Sequence, residues 1–471
     1  GWAIDNVLIY EPVAGTDIGA TATVIGKLDP TPAFVGYPKY LTALPLQLNM
    51  TVSNLGTTPI TSFDLSWTDG VNTFNQSLSG LNILPLENYS FTANDPYVTL
   101  SGSTNISATL SNVNSGATEI DPNNNSGSYT VEGVAINSDR KYVAEEGTGT
   151  WCGWCPRGAV FMDYMTETYP DNFVGIAVHN GDVMTVTAYD GGLGISAFPG
   201  VKIYRDATID PSQLEGDFID KISAPVDVTI SGTANLNLFN KQLVVSADAH
   251  FLNTLSGDYT LVAVVVEDSV HGTTSQYNQS NYYAANAAGP MGGFESMPAT
   301  IPASQMYYQH VGRGLVAGFT GASGSIPANP QGGNTYNYTF APYTIPALWN
   351  VNRLHTVIMV RDNTTGFILN AVTVPMVMNT GVAENSNIAS FATYPSPTND
   401  VLYVTLNMKQ ASNVTFKVTD VLGKTVMNIN KGQVFSGDSN FKFDVSGLQA
   451  GVYQLVVETP EGLQSSKFVK E

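Results

Sequence analysis

Apolar and polar residues alternate with period two along most of the chain, and the alternation is broken by turn residues. Leu46-Gln47-Leu48-Asn49-Met50-Thr51-Val52 puts every second side chain on one face and predicts a half-buried strand. Asn54-Leu55-Gly56-Thr57-Thr58 supplies a turn, Phe63-Asp64-Leu65-Ser66-Trp67 the next strand, and Asp69-Gly70 a hairpin signal. From about residue 15 to 134 this pattern predicts a β-sandwich. Alternation returns in Val226-Asp227-Val228-Thr229-Ile230, Leu243-Val244-Val245-Ser246-Ala247 and Thr356-Val357-Ile358-Met359-Val360, and again over 388–471 in Val401-Leu402-Tyr403-Val404, Val414-Thr415-Phe416-Lys417-Val418 and Tyr453-Gln454-Leu455-Val456-Val457. The densest apolar run, 261–266, reads as a buried strand and falls far short of the ~18 residues that cross a bilayer.

The period changes at Lys141. Tyr142-Val143-Ala144-Glu145-Glu146 predicts a short strand, and Val160, Phe161, Tyr164, Met165 and Tyr169 then recur at helical spacing. Residues 172–179 form a continuous apolar strand of the kind covered on both faces. A glycine-rich connection leads to Ser196-Ala197-Phe198-Pro199-Gly200 and the strand Val201-Lys202-Ile203-Tyr204. Asp210-Pro211 reads as an N-cap with proline at the first helical position, followed by Leu214, Phe218 and Ile222. The predicted order is strand, helix, strand, strand, helix.

These patterns divide the chain into the closing strand of an upstream domain (1–14), a sandwich (15–137), an α/β domain (138–225), a second sandwich (226–379) and a C-terminal β domain (388–471) after a polar linker. The fold class is mostly β and multidomain. Gly1 is expected to be a boundary of processing or of the described chain, not the start of the gene. A Tyr/Asn/Gly-rich excursion, 276–308, interrupts the second sandwich, and loops of that length tend to be functional or mobile.

Composition narrows the function classes. Only 12% of the 471 residues are charged and the net charge is −20, which argues against nucleic acid or acidic lipid as partner because no clustered Lys or Arg is present. The five histidines (His179, His250, His271, His310, His355) are scattered, so no metal site is expected. Asp121-Pro122-Asn123-Asn124-Asn125 lacks the spaced carboxylates of a calcium loop and reads as a turn. No nucleophile elbow, Walker loop or dinucleotide fingerprint occurs. Glu145 and Glu146 point to opposite faces of a strand and form no carboxylate dyad.

Both cysteines of the chain lie in Gly149-Thr150-Trp151-Cys152-Gly153-Trp154-Cys155-Pro156-Arg157. Two cysteines cannot staple a small secreted scaffold, which leaves this pair for a redox role. The spacing puts the first sulfur at the start of a helix and the second one turn further in. Free amide donors and the helix dipole there favour thiolate over thiol. Cys152 is the candidate nucleophile and Cys155 the resolving thiol, with Trp151 and Trp154 beside them as candidate substrate-binding residues. Arg157 either adds positive charge beside the sulfurs or is a solvated helix residue.

Trp151-Cys152-Gly153-X-Cys155 after a strand, with Phe198-Pro199 opening a later one, resembles the thioredoxin fold. The resemblance implies that Pro199 is cis and faces the cysteines, with Phe198 in the substrate-binding surface. It also implies that Glu146, six positions before Cys152, accepts the proton of Cys155. Thioredoxins carry proline where Trp154 stands, and residues 205–209 are too short for their extra antiparallel strand, so the domain is abbreviated or its neighbour completes the sheet. From Thr148 to Pro156 and the sandwich after it, including Tyr308-Gln309-His310-Val311-Gly312-Arg313, the chain looks like the outer membrane protein 28-related family of Bacteroidota, over roughly 141–376. The first sandwich is similar to adhesion-type immunoglobulin-like modules. Tyr394-Pro395-Ser396-Pro397-Thr398-Asn399, Asp420-Val421-Leu422-Gly423-Lys424, Leu448-Gln449-Ala450-Gly451-Val452-Tyr453 and Lys467-Phe468-Val469-Lys470 together resemble the C-terminal sorting domain of type IX secretion cargo. Ser396 and Asp400 replace the usual Asn and Gly.

These resemblances imply an exported cell-surface or extracellular protein handled by the type IX translocon and its sorting-domain shuttle. Its partners would be protein thiols and disulfides, and it would need no cofactor beyond the redox-active Cys152–Cys155 pair. The competing expectation is a surface adhesion or structural protein in which the pair is a permanent staple. A third places the decisive chemistry upstream of Gly1, with this chain the tail of a larger adhesin or hydrolase.

Overall fold

The computed structural model describes residues 12–27, 39–238, 240–379, 387–421 and 423–471. Most of the strand expected over 1–14, nearly all of the polar linker and Leu422 lie outside these residues. The chain is mostly β with several sheets and forms two compact units. One takes in the described residues of Gly1–Gly232, Ala247–Tyr338 and Arg353–Val374, the other Thr233–Ser246, Thr339–Asn352 and Pro375–Glu471.

In the first unit the alternating N-terminal stretch forms two facing sheets. One orders Ile18–Lys27, Pro45–Asn54 and Asn88–Thr92, and the other Lys39–Leu41, Ser126–Val134, Gly102–Ser111, Ile60–Thr68 and Thr73–Ile83. The inward positions are those the alternation marks: Leu46, Leu48, Met50 and Val52 from one sheet meet Phe63, Leu65 and Trp67 from the other. Each such side chain contributes roughly 1.5–3 kcal/mol when fully buried. Asp121 caps a short turn by accepting from the Asn123 N–H, and among the described residues no His/Cys/Asp/Glu group could hold a metal.

The α/β stretch follows in a continuous sheet ordered Thr208–Ile209, Gly200–Ile203, Tyr142–Thr148, Phe173–His179, Val311–Leu315, Tyr259–Glu267 and Leu354–Asp362. Tyr142–Thr148 pairs parallel to Phe173–His179 and antiparallel to Gly200–Ile203. Two local features differ from the sequence expectation. Residues 205–209 do hold an antiparallel strand, of only Thr208–Ile209, because Tyr204 and Arg205 take positive φ and turn the chain at once. The glycine-rich connection contains a helix, Thr187–Leu193. Its Gly191-Gly192 pair hides it from periodicity, yet the Phe319 ring occupies the space a Gly192 side chain would need, and Tyr189 and Leu193 are buried.

On the other edge the sheet continues through strands more than a hundred residues away in sequence. Ala177 registers with Val311, and Val311–Leu315 pairs antiparallel with Tyr259–Glu267, every residue of which is buried. This pairing carries the 276–308 excursion over the start of the helix Pro156–Thr168. The excursion is not irregular: Gln279–Ser280 pairs with Thr300–Ile301, and short 3-10 turns cover Ala284–Asn286, Phe294–Ser296 and Ala303–Gln305.

Glu145 and Glu146 leave their strand on opposite faces, as alternation requires. Glu145 is buried and takes the Arg205 guanidinium on both oxygens at 2.9–3.1 Å, with the Tyr189 hydroxyl donating at 2.6 Å. Arg205 also donates to the Phe319 carbonyl and lies 3.9 Å from that ring's centroid. A buried carboxylate satisfied this fully is structural, and it fixes the strand from which Glu146 projects the other way.

In the second unit, residues 388–471 form two facing sheets. One orders Ile388–Tyr394, Val401–Met408 and Gly437–Asp444, the other Thr425–Val434, Ser412–Thr419, Gly451–Thr459 and Gly462–Lys470. Leu402, Val404, Leu406, Phe416, Val418, Leu455, Val457 and Phe468 meet between them.

Candidate functional site

Cys152 and Cys155 form a disulfide with Cα atoms 5.3 Å apart, and both residues are nearly covered, at 4% and 3% exposure. The helix proper begins at Pro156, which makes Cys155 its N-cap and leaves Cys152 in the turn before it, so both cysteines sit about one turn earlier relative to the helix than the spacing suggests. The reason is local. Pro156 lacks an N–H and suits the first helical position, while the Cys155 N–H bonds the Cys152 carbonyl at 3.2 Å to close the preceding turn. Of the first helical residues, Pro156 has no N–H and the Arg157 N–H bonds the Trp154 carbonyl at 3.2 Å.

Phe198–Pro199 is cis, and Pro199 is buried against the first turn of the helix. Its Cβ lies 3.2 Å from where a side chain on Gly158 would begin, and the same position would overlap the Glu146 carboxyl. Gly158 therefore leaves the room that the Glu146 carboxyl and Pro199 share beside the first turn of the helix. Trp151 and Trp154 stand on the outer side, 52% and 45% exposed. Trp151 donates its ring N–H to the Asn180 carbonyl at 2.7 Å and meets Phe198 edge-on at 5.5 Å, while Trp154 meets Tyr282 and Tyr283 edge-on at 5.3 and 5.5 Å. Arg157 turns away to Asp210 at 2.6 Å, the residue that caps the later 3-10 turn, so its charge is spent there and not on the sulfurs.

Glu146 is 2% exposed, and its Oε1 is buried without a hydrogen-bond partner. Burial, then the nearby Asp163 carboxylate, push its carboxyl from the ordinary 4.5 up to about 8 against an opposing bond from Thr148. Glu146 and Cys155 line one cavity of about 80 Å³, shared with Asp163, His179, Gln279 and His310, which is large enough for several water molecules.

Several of these side chains carried no signal of a role in the sequence. Gln279 donates from its amide to the Cys152 carbonyl at 2.9 Å, the Ser280 N–H bonds the Thr150 carbonyl at 2.8 Å and the Tyr282 N–H bonds the Gly153 carbonyl at 2.9 Å. The 279–282 segment thus lies along the Thr150–Gly153 turn as a strap. Asp182 accepts from the Thr150 N–H at 2.9 Å and pairs with His179 Nδ1 at 2.6 Å. Burial would raise the Asp182 carboxyl, and its bonds from His179, Thr150 and Met184 outweigh burial and hold it below the usual range.

The fold and this site define a mostly β, multidomain chain with one buried disulfide at a helix N-terminus. Residues 392–471 match the secretion system C-terminal sorting domain. The protein is therefore cargo of type IX secretion, exported across the outer membrane to the cell surface or the extracellular space. Among the described residues no helix is long and apolar enough to cross a membrane. No curated protein matches the chain. Among solved structures, a protein from Agrobacterium tumefaciens aligns at 16% identity over 50% of this chain and 94% of its own, with a TM-score of 0.30. The CARDB domain of a Pyrococcus furiosus protein, in complex with di-metal ions, aligns at 19% identity over 28% of this chain and 100% of its own, with a TM-score of 0.20. Trypsin-activated alpha-2-macroglobulin from Escherichia coli aligns at 9% identity over 99% of this chain and 24% of its own, with a TM-score of 0.18. Likeness at this level carries no argument about the site.

Proposed function

We propose that this exported protein exchanges thiols and disulfides with protein substrates through a thioredoxin-like region, 138–225, of the kind found in the outer membrane protein 28-related family. The observation that carries this reading is the buried Glu146, unpaired at one oxygen, on the same cavity as Cys155. When a substrate disulfide is reduced, the substrate is held as a mixed disulfide on Cys152. Cys155 gives its proton to the Glu146 carboxylate and attacks the Cys152 sulfur, the Cys152–Cys155 disulfide forms and the substrate sulfur leaves as thiolate. When substrate thiols are oxidised the same steps run backwards: a substrate thiolate attacks Cys152, and protonated Glu146 returns the proton to the departing Cys155. Trp151, Trp154 and Phe198 supply the apolar rim against which a polypeptide would lie.

The low exposure of both cysteines and the 279–282 strap favour a second reading, a permanent staple in a surface adhesion or structural protein. Kinetics separate the two. After reduction with dithiothreitol and its removal, the folded protein is expected to reduce a small peptide disulfide at pH 7 within seconds to minutes, and Cys152→Ser to abolish the reaction. A staple would react only once denaturant has unfolded the chain.

A further inference from the structure

We propose that His310, paired with Asp163, relays the proton of the Cys155–Glu146 couple between the buried cavity and solvent, so that the exchange site is completed by the strand region after the excursion. The inference rests on the exchange reading above. The way from Glu146 to water is the cavity it lines. Glu146 is buried, Cys155 caps the helix above it, and Pro199 and Gly158 close the side toward the helix. The cavity that Glu146 and Cys155 line is lined also by His310 and Asp163. His310 Nε2 lies 3.1 Å from Asp163 Oδ1, and Asp163 is 42% exposed, which carries the path to water.

The backbone at His310 is built to hold the ring there. His310 has φ of 57°, a left-handed conformation uncommon for residues other than glycine, asparagine and aspartate, and such residues persist where the surroundings over-determine them. Its N–H donates to Asp268 Oδ1 at 2.9 Å and its carbonyl accepts from Ala177 at 2.7 Å, on the strand beside the one bearing Glu146. The groups facing it are Asp163 and Thr166 on the helix, His179 across the cavity, and Asp268, whose other oxygen pairs with His355 at 3.2 Å. Burial would raise the Asp268 carboxyl, but the bonds and charges of His355 and His310 outweigh it and hold it low, an anion that keeps the His310 ring oriented. His310 Nδ1 lies 3.5 Å from Asp268 and Nε2 faces Asp163, so the ring is held against one anion and exchanges its proton at Nε2 with Asp163 and cavity water.

When dithiothreitol thiolate attacks Cys152, the Cys152–Cys155 bond breaks, Cys155 leaves as thiolate and takes the Glu146 proton, and Glu146 is reprotonated from solvent by way of Asp163, His310 and cavity water. The second dithiothreitol sulfur then closes its ring and releases Cys152.

The test is stopped-flow reduction of the full oxidised chain by dithiothreitol from pH 5.5 to 8 in dilute buffer. Trp151 and Trp154 provide the fluorescence signal. His310→Asn keeps a residue that tolerates the left-handed backbone, and Asp163→Asn removes the outlet. Slowing by roughly tenfold is expected for His310→Asn, with most of the rate restored by added imidazole buffer, and a smaller loss for Asp163→Asn. An unchanged rate in His310→Asn overturns the relay while leaving exchange intact, and so does a loss that imidazole does not restore, which would mark a packing role. A wild-type disulfide that resists reduction until the chain unfolds removes the exchange reading and the relay with it.

Discussion

Cys155→Ser is expected to turn the protein into a trap, with mixed disulfides accumulating on Cys152 and turnover falling by more than ~100-fold. Resolution is intramolecular. Cys155 is the N-cap residue one turn after Cys152, already within bonding distance of it, and well-oriented intramolecular attack corresponds to effective concentrations on the order of 10⁵ M or more. An external thiol at millimolar concentration cannot match that. Serine keeps the size of the side chain but is no nucleophile at neutral pH, so the first attack proceeds and the second does not. Non-reducing electrophoresis and mass spectrometry of adducts formed with disulfide-bearing cell-surface proteins would show the trapped species, and Cys152→Ser would form none. Equal adducts with either variant, or none with both, would count against the assigned order of attack.

Glu146→Gln is expected to slow resolution by ~100-fold, the range for loss of a positioned acid–base group, and at the same time to stabilise the fold at alkaline pH. In the wild type the rate of Cys155 attack should rise with pH toward a plateau near the value of about 8 at which Glu146 ionises, because the carboxylate form accepts the proton. Glutamine removes that inflection. The stability change has the opposite sign. Below about pH 4.5 Glu146 is protonated folded or unfolded and carries no penalty. Between about 4.5 and 8 only the unfolded chain ionises, so stability falls as pH rises, and above 8 the loss is constant at ~4–5 kcal/mol. The glutamine variant lacks this slope. Urea denaturation of both proteins at pH 4.5 and 8.5 reads the difference directly, and parallel pH profiles would show that Glu146 is not the buried acid described.

The Cys152–Cys155 disulfide at a helix start was legible because its signal is local, two cysteines three positions apart ahead of a helical pattern. Glu146 and Pro199 were marked by resemblance to the thioredoxin fold and not by spacing, since Glu146 lies on the strand Tyr142–Thr148 and Pro199 just before the separate strand Gly200–Ile203. Glu145 and Glu146 are told apart by the two-residue period of a strand. The helix Thr187–Leu193 was hidden because tertiary packing, a Phe319 ring seated on Gly192, overrides the poor helix propensity of two adjacent glycines. Arg157 was ambiguous because its partner, Asp210, arrives from a different turn.

The length of the 276–308 excursion marked it out, but Gln279, Tyr282 and His310 could not be assigned to the site. They reach the cysteines only through the register of Val311–Leu315 against Phe173–His179, a pairing across more than a hundred residues that no periodicity encodes. Tyr308-Gln309-His310-Val311-Gly312-Arg313 stood out as a string of residues, but its use lies in which strand it joins. Export, by contrast, is written in a contiguous C-terminal stretch and was read directly.

The most direct test is the reduction potential of Cys152–Cys155, measured by equilibrating the folded full chain with glutathione or dithiothreitol and alkylating the free thiols. The proposed exchange function predicts a value between about −270 and −120 mV, where known exchange proteins lie. A value well below about −300 mV, with thiols that form only on unfolding, would contradict it and leave the pair as a structural staple.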